Sequence, residues 1–178
     1  MLIDVIRAKV ISSNDAKNQL RLALSASIGV LACFIIIGFL GLNFPVALLF
    51  APLGATAILV FGVPESVLAQ PRHVICGHLI AFVVSFGFLS IIVQSGLDSQ
   101  IMRIVFTAFA ISSSLFIMYV GKVIHPPAGA TAFIVMESHG YSEATTLLAP
   151  IIAGSLLIIG IAVLLNRKLA KIQYPKYW

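Results

Sequence analysis

The chain has 178 residues, 60% of them hydrophobic and only 10% charged, with a mean hydropathy of +1.10 and a formal net charge of +5. These proportions exclude a soluble globular domain and a disordered chain. The basic residues cluster at the chain ends and in two short loops rather than among aromatics on one face, which excludes a nucleic-acid-binding module. What remains is an all-α polytopic membrane protein.

Residues 1–20 mix Leu2, Ile3, Val5, Ile6, Val10 and Ile11 with Asp4, Arg7, Lys9, Asp15 and Lys17. This reads as an amphipathic segment on the cytoplasmic membrane surface, with a solvated tail as the alternative. It is too long and too polar in its middle for a cleaved signal peptide, so the first span, residues 21–40, is expected to be retained. From Leu22 to Pro64 no Lys, Arg, Asp or Glu occurs, which leaves room for a second element over Phe44 to Val63. That element carries Pro52 near its middle. Proline lacks the backbone donor and clashes with the preceding turn, so a break is predicted there, with a new half-helix starting after it.

A turn-rich loop from Pro64 to Arg72 leads to a third span over 73–93. The loop from Gly96 to Arg103 divides the chain, and a fourth span covers 104–118. The fifth element, residues 119–137, is predicted to break at Pro126 and Pro127. After a loop at 138–143, a sixth span covers 145–165, and the tail at 171–178 offers Tyr174, Tyr177 and Trp178 as an interfacial anchor. Cys33 and Cys76 lie in apolar segments, where a thiol behaves as a small hydrophobe and neither a disulfide nor a paired-cysteine metal site is indicated.

Elements 2 and 5 share a motif. Pro52-Leu53-Gly54-Ala55-Thr56-Ala57 matches Pro127-Ala128-Gly129-Ala130-Thr131-Ala132 in five of six positions at an offset of 75. Such a match predicts two related halves, 21–95 and 96–170, each with three membrane elements. Three is odd, so the second half must be inverted relative to the first. Six crossings with both termini cytoplasmic put ten Lys and Arg residues on that side and leave Arg103 alone outside. A four-span arrangement, with the proline segments re-entrant, would move Arg72 and Lys122 outside.

The stretch His125-Pro126-Pro127-Ala128-Gly129-Ala130-Thr131-Ala132, with PLGATAILVFG from Pro52 and PESVLAQPRHVICGH from Pro64, resembles the HPP family of integral membrane proteins. The resemblance runs from about Phe44 to Leu165. It implies a small polytopic membrane protein, and plastid members are associated with nitrite transport. Where the family commonly has Asn after LAQPR, this chain has His73.

The residues themselves also suit an anion. A helix that starts at mid-membrane presents free N–H groups and the positive end of its dipole, worth about 0.3–2 kcal/mol toward a negative charge. Two such ends, entering from opposite sides, would hold a small monovalent anion without a buried formal charge. The candidate binding residues are Pro52, Gly54, Ala55, Thr56, His125, Pro127, Gly129, Ala130 and Thr131, with His125 and His78 as gating or proton-linked groups. Plainer readings stand beside these: glycines for tight helix crossing, threonines bonded back to their own helix, His125 satisfying backbone opened by the prolines.

A His-based metal carrier or enzyme would draw on His73, His78 and His125. Residues 73 and 78 are five apart, a poor spacing for two ligands on one helix, and no nucleophile motif occurs. The expectation is therefore a transporter and not an enzyme, with no cofactor, no metal site and no nucleic-acid partner. It would be a homo-oligomer in a bacterial-type inner membrane; a non-transporting structural or regulatory subunit is the remaining alternative.

Overall fold

A computed structural model describes residues 13–40 and 50–177, and among these every regular element is helical. The elements are α1 (Ser13–Leu40), α2 (Phe50–Gly62), a 3-10 turn (Val67–Ala69), α3 (Pro71–Ser95) and α4 (Gln100–Val120). They are followed by α5 (Ala128–Glu137), the short α6 (Tyr141–Thr146), α7 (Leu148–Leu165) and a π turn (Asn166–Ala170).

Local chemistry sets these boundaries. Pro71 opens α3 at its first position, where its missing donor costs nothing, and Gly96 closes it in the left-handed region at φ 68°. Ser99 caps α4 by accepting the N–H of Met102 at 3.3 Å. After α4, Lys122 takes a φ of 53°, unusual for a side-chain-bearing residue, and turns the chain toward the two prolines. The buried face of α3 includes Val74, Gly77, His78, Ala81, Phe82, Ser85, Leu89 and Ile92, a three-and-four spacing that makes it the central helix.

Among the described residues four stretches are long and apolar enough to cross a membrane: Ala16–Phe39, Pro71–Ser95, Gln100–Val120 and Tyr141–Ala170. The two motif-bearing helices, α2 with 13 residues and α5 with 10, are shorter than the roughly 20 residues a lone crossing needs. The chain nevertheless alternates between two ends. Lys17, Arg21 and Lys168 line one groove, Asn166 Nδ2 donates to the Val60 carbonyl at 3.3 Å, and Lys176 pairs with Glu65 at 3.0 Å. The start of α1 and the ends of α2 and α7 therefore share one basic end. At the opposite end Arg103 donates to the carbonyls of Met136 (2.9 Å) and Ser138 (3.2 Å), joining the start of α4 to the finish of α5. Arg103 also pairs with Asp98, and its hydrogen bonds hold that carboxyl below the usual carboxylate range.

The structure departs from the sequence-based expectations in several places. The helix expected from residue 21 already runs from Ser13, so no boundary falls at residue 20. The predicted second element starts at 44, but residues 44–49 lie outside the described residues, as does most of the N-terminal amphipathic segment. Pro52 sits in the first turn of α2, where a helix accepts proline. Of the predicted fifth element, residues 119–120 finish α4 and helix resumes only at Ala128, because the two prolines and the Lys122 turn hold the chain between them out of helix. Residues 141–143 are helical where a loop was expected, since the short helix α6 packs against α3 and α7.

Tyr174 is not an interfacial anchor either. It is fully buried, and its hydroxyl donates to the Ala69 carbonyl at 2.9 Å while Lys176 N–H reaches Gln70 Oε1 at 2.8 Å. The tail is thus tied over the 3-10 turn, and burial pushes the Tyr174 hydroxyl pKa up. Tyr174→Phe, which leaves the Ala69 carbonyl without this partner, should cost about 1 kcal/mol, read as a lowered melting temperature of the detergent-solubilised protein. An unchanged melting temperature would mean that the tail contributes nothing through this bond.

Candidate functional site

The two copies of the repeated motif meet at one buried cluster. Thr56 lies four residues after Pro52, so its side chain faces back over the first turn of α2, and Oγ1 donates to the Pro52 carbonyl at 2.8 Å. The same oxygen lies 2.9 Å from His78 Nε2, on α3, and 3.1 Å from His125 Nε2, in the turn before α5. His78 Nδ1 lies 2.7 Å from Thr131 Oγ1, the counterpart of Thr56 in the second copy. His125 Nδ1 is 2.9 Å from the Leu68 carbonyl in the 3-10 turn. Thr56, His78, His125 and Thr131 all have no accessible surface.

Hydrogen-bond chemistry assigns part of the proton pattern. A carbonyl only accepts, so His125 Nδ1 carries a hydrogen, and a neutral His125 then presents a lone pair at Nε2. That lone pair is met by the Thr56 hydroxyl. Two of the sequence-based alternatives for the threonines are thus realised together at Thr56, which bonds back to its own helix and joins the cluster, whereas Thr131 bonds only to His78.

The other candidate residues are placed differently. Pro52 and Pro127 are buried, the former contributing its carbonyl and the latter standing as the residue before α5. Gly54, Gly129 and Ala130 are half-buried and Ala55 is exposed, in contrast to the fully buried threonines and imidazoles. The expectation of free N–H groups at the start of α5 does not hold for its first three residues. Ala128, Gly129 and Ala130 donate to the carbonyls of His125, Pro126 and Pro127 at 3.0, 3.0 and 3.1 Å. The double proline folds the chain into successive tight turns whose carbonyls reach these donors, so side chains rather than bare backbone form the polar centre. Nor does tight crossing explain Gly129, where an added Cβ would meet nothing within 4 Å.

Sequence reasoning missed the glycine that does matter. A Cβ on Gly77 would lie 2.5 Å from the His125 Cβ, so this position lets the His125 side chain lie against α3. Its adjacency to His78 was the available signal. The Leu68 carbonyl was also missed, because a backbone acceptor leaves no trace in residue type. His78 and His125 pack with ring centroids 5.0 Å apart, edge to face. Their four nitrogens are all engaged by hydroxyl or carbonyl oxygens. Among the described residues no three His, Cys, Asp or Glu side chains gather as a ligand set.

Comparison with known proteins agrees with this architecture. The family model described as HPP, transmembrane region, matches residues 15–175. The chain belongs to the HPP transmembrane family. Two transmembrane proteins of Dictyostelium discoideum are similar to it over 126 residues, at 33% and 32% identity. In both cases 70% of this chain is covered, against 43% and 39% of the relative, so the chain spans about two fifths of their length. No solved structure matches it.

Proposed function

We propose that this HPP protein moves a small monovalent anion across the membrane, with nitrite as the first candidate by its resemblance to plastid members of the family. One observation carries the reading. Two copies of the same Pro-x-Gly-x-Thr helix converge, through His78, on a polar cluster with no carboxylate, Lys or Arg in it. A small anion needs hydroxyl and imidazole donors that hold it without trapping it, which a permanently charged Arg would do.

The alternation of the chain between a basic and an opposite end supports six membrane elements arranged as two inverted three-element halves. In that arrangement α2 and α5 are the interrupted elements, and the basic end faces the cytoplasm of a bacterial-type cell membrane. The half-exposed Gly54, Gly129 and Ala130, with exposed Ala55, lie where a passage or a contact between copies in a homo-oligomer would run.

Liposome flux tests the reading. Vesicles holding the purified protein should take up nitrite faster than protein-free vesicles, and nitrate, formate and chloride define selectivity. Gly129→Val, whose added atoms start in open space, should fold normally and lower uptake at least about tenfold if the anion passes that face. Normal uptake in the variant would remove the passage from α5. The complete closure of the cluster favours a second reading, a structural polar network in a non-transporting membrane subunit. Vesicles that pass none of the four anions would establish it instead.

A further inference from the structure

We infer that the cluster binds one proton together with each anion, making the protein an electroneutral proton–anion symporter; this rests on the anion-transport reading above. Five contacts at hydrogen-bonding distance link the cluster: Thr131 to His78, His78 to Thr56, Thr56 to His125, His125 to Leu68, and Thr56 to Pro52. With both imidazoles neutral, the side chains hold four polar hydrogens, one each on Thr131, His78, Thr56 and His125. One contact must go without.

The missing hydrogen falls at Thr56. In the His78 tautomer that fills the most contacts, Nε2–H donates into the Thr56 oxygen and Thr131 donates to Nδ1, and the single Thr56 O–H then faces two acceptors, the Pro52 carbonyl and the lone pair of His125 Nε2. A proton added at His125 Nε2 resolves the conflict. His125 then donates to Thr56, the Thr56 hydroxyl turns its hydrogen to Pro52, and all five contacts are filled while Nδ1–H stays on Leu68. The arrangement accommodates one extra proton without any heavy atom moving.

That proton brings a full positive charge into a dry site, and among the described residues no acid faces it. The helix α2 carries no titratable side chain and neither does α7. From α3 come Arg72, His73 and Cys76; from α4, Arg103 and Tyr119; from α5, only Glu137 at the far end; and from the turns, Lys122 and a Glu65 already paired with Lys176. A lone charge there is costly, and so is a lone anion. Each relieves the other, so binding of the two is coupled and one negative charge travels with one positive.

Initial nitrite uptake is measured in vesicles over the leak of protein-free ones, first with a pH gradient and then with a potassium diffusion potential. Uptake should rise up to about tenfold when the outside is one pH unit more acidic, the driving force of one proton per anion. It should ignore a potential of either sign. Uptake driven by the potential and indifferent to the pH gradient overturns symport and leaves anion transport standing, whereas no uptake of any anion overturns both. His125→Gln, polar but unable to bind the proton, should lose the pH-gradient response, while Gly87→Ala, on α3 but outside the cluster, should retain it. A His125→Gln protein that still responds overturns the assignment to this cluster.

Discussion

Thr56→Val should destabilise the protein more than any other single substitution among the cluster hydroxyls. The change keeps the shape of the side chain but deletes the oxygen that two imidazoles and the Pro52 carbonyl share. Burial is complete, so no water replaces it, and each orphaned nitrogen costs about 1–3 kcal/mol. Hydrogen bonds between transmembrane helices average nearer 0.6 kcal/mol, because the chain separated in lipid finds other partners. Two orphaned nitrogens place the loss at about 2 kcal/mol or more. Thr131→Val removes a single contact, to His78, and should cost about half as much. Thermal unfolding of the two variants in detergent gives the comparison. Equal losses would show that Thr56 is not the hub. Transport by Thr56→Val should fall at least about tenfold, because both the donor set and its link to His125 are gone.

Gly77→Ala is the second large effect, and it acts through shape alone. The new Cβ would stand 2.5 Å from the His125 Cβ, a near-backbone atom that cannot rotate away. Either α3 and the turn before α5 separate or His125 leaves the Leu68 carbonyl, and overpacking of this kind costs about 1–3 kcal/mol. Gly87 on the same helix is the control, since a Cβ there meets nothing within 4 Å. Gly87→Ala should be neutral or stabilising by up to about 1 kcal/mol, because alanine is the better helix former. If the two substitutions gave the same melting temperature, His125 would not be seated against α3 as described. Gly154 and Gly29 also face close neighbours, the Leu53 methyl groups and one edge of the Phe61 ring, both buried in the core.

Much of this was legible in the residues. Uncharged runs pointed to the four long apolar helices, the double proline marked where α5 could begin, and the repeated motif singled out Thr56 and Thr131 as a pair. His125, beside the prolines, reads as a binding and gating candidate, and His78 as a gating or proton-linked group. What could not be read was that these four side chains touch. His78 has no counterpart in the second half, where the same offset falls on Ala153, so no internal symmetry pointed to it. The bonding of the first α5 N–H groups was misjudged because proline predicts where a helix starts, not what its preceding carbonyls reach.

Hydrophobicity and proline placement act over a few neighbouring residues, so the membrane class, the helical character and the interruption at Pro126 and Pro127 can be read from residue order alone. The polar cluster joins residues 22, 53 and 69 positions apart, and its existence depends on how α2, α3 and α5 pack. Only the tertiary structure decided that, because a hydrogen bond in a dry interior is a matter of ångströms set by every helix around it.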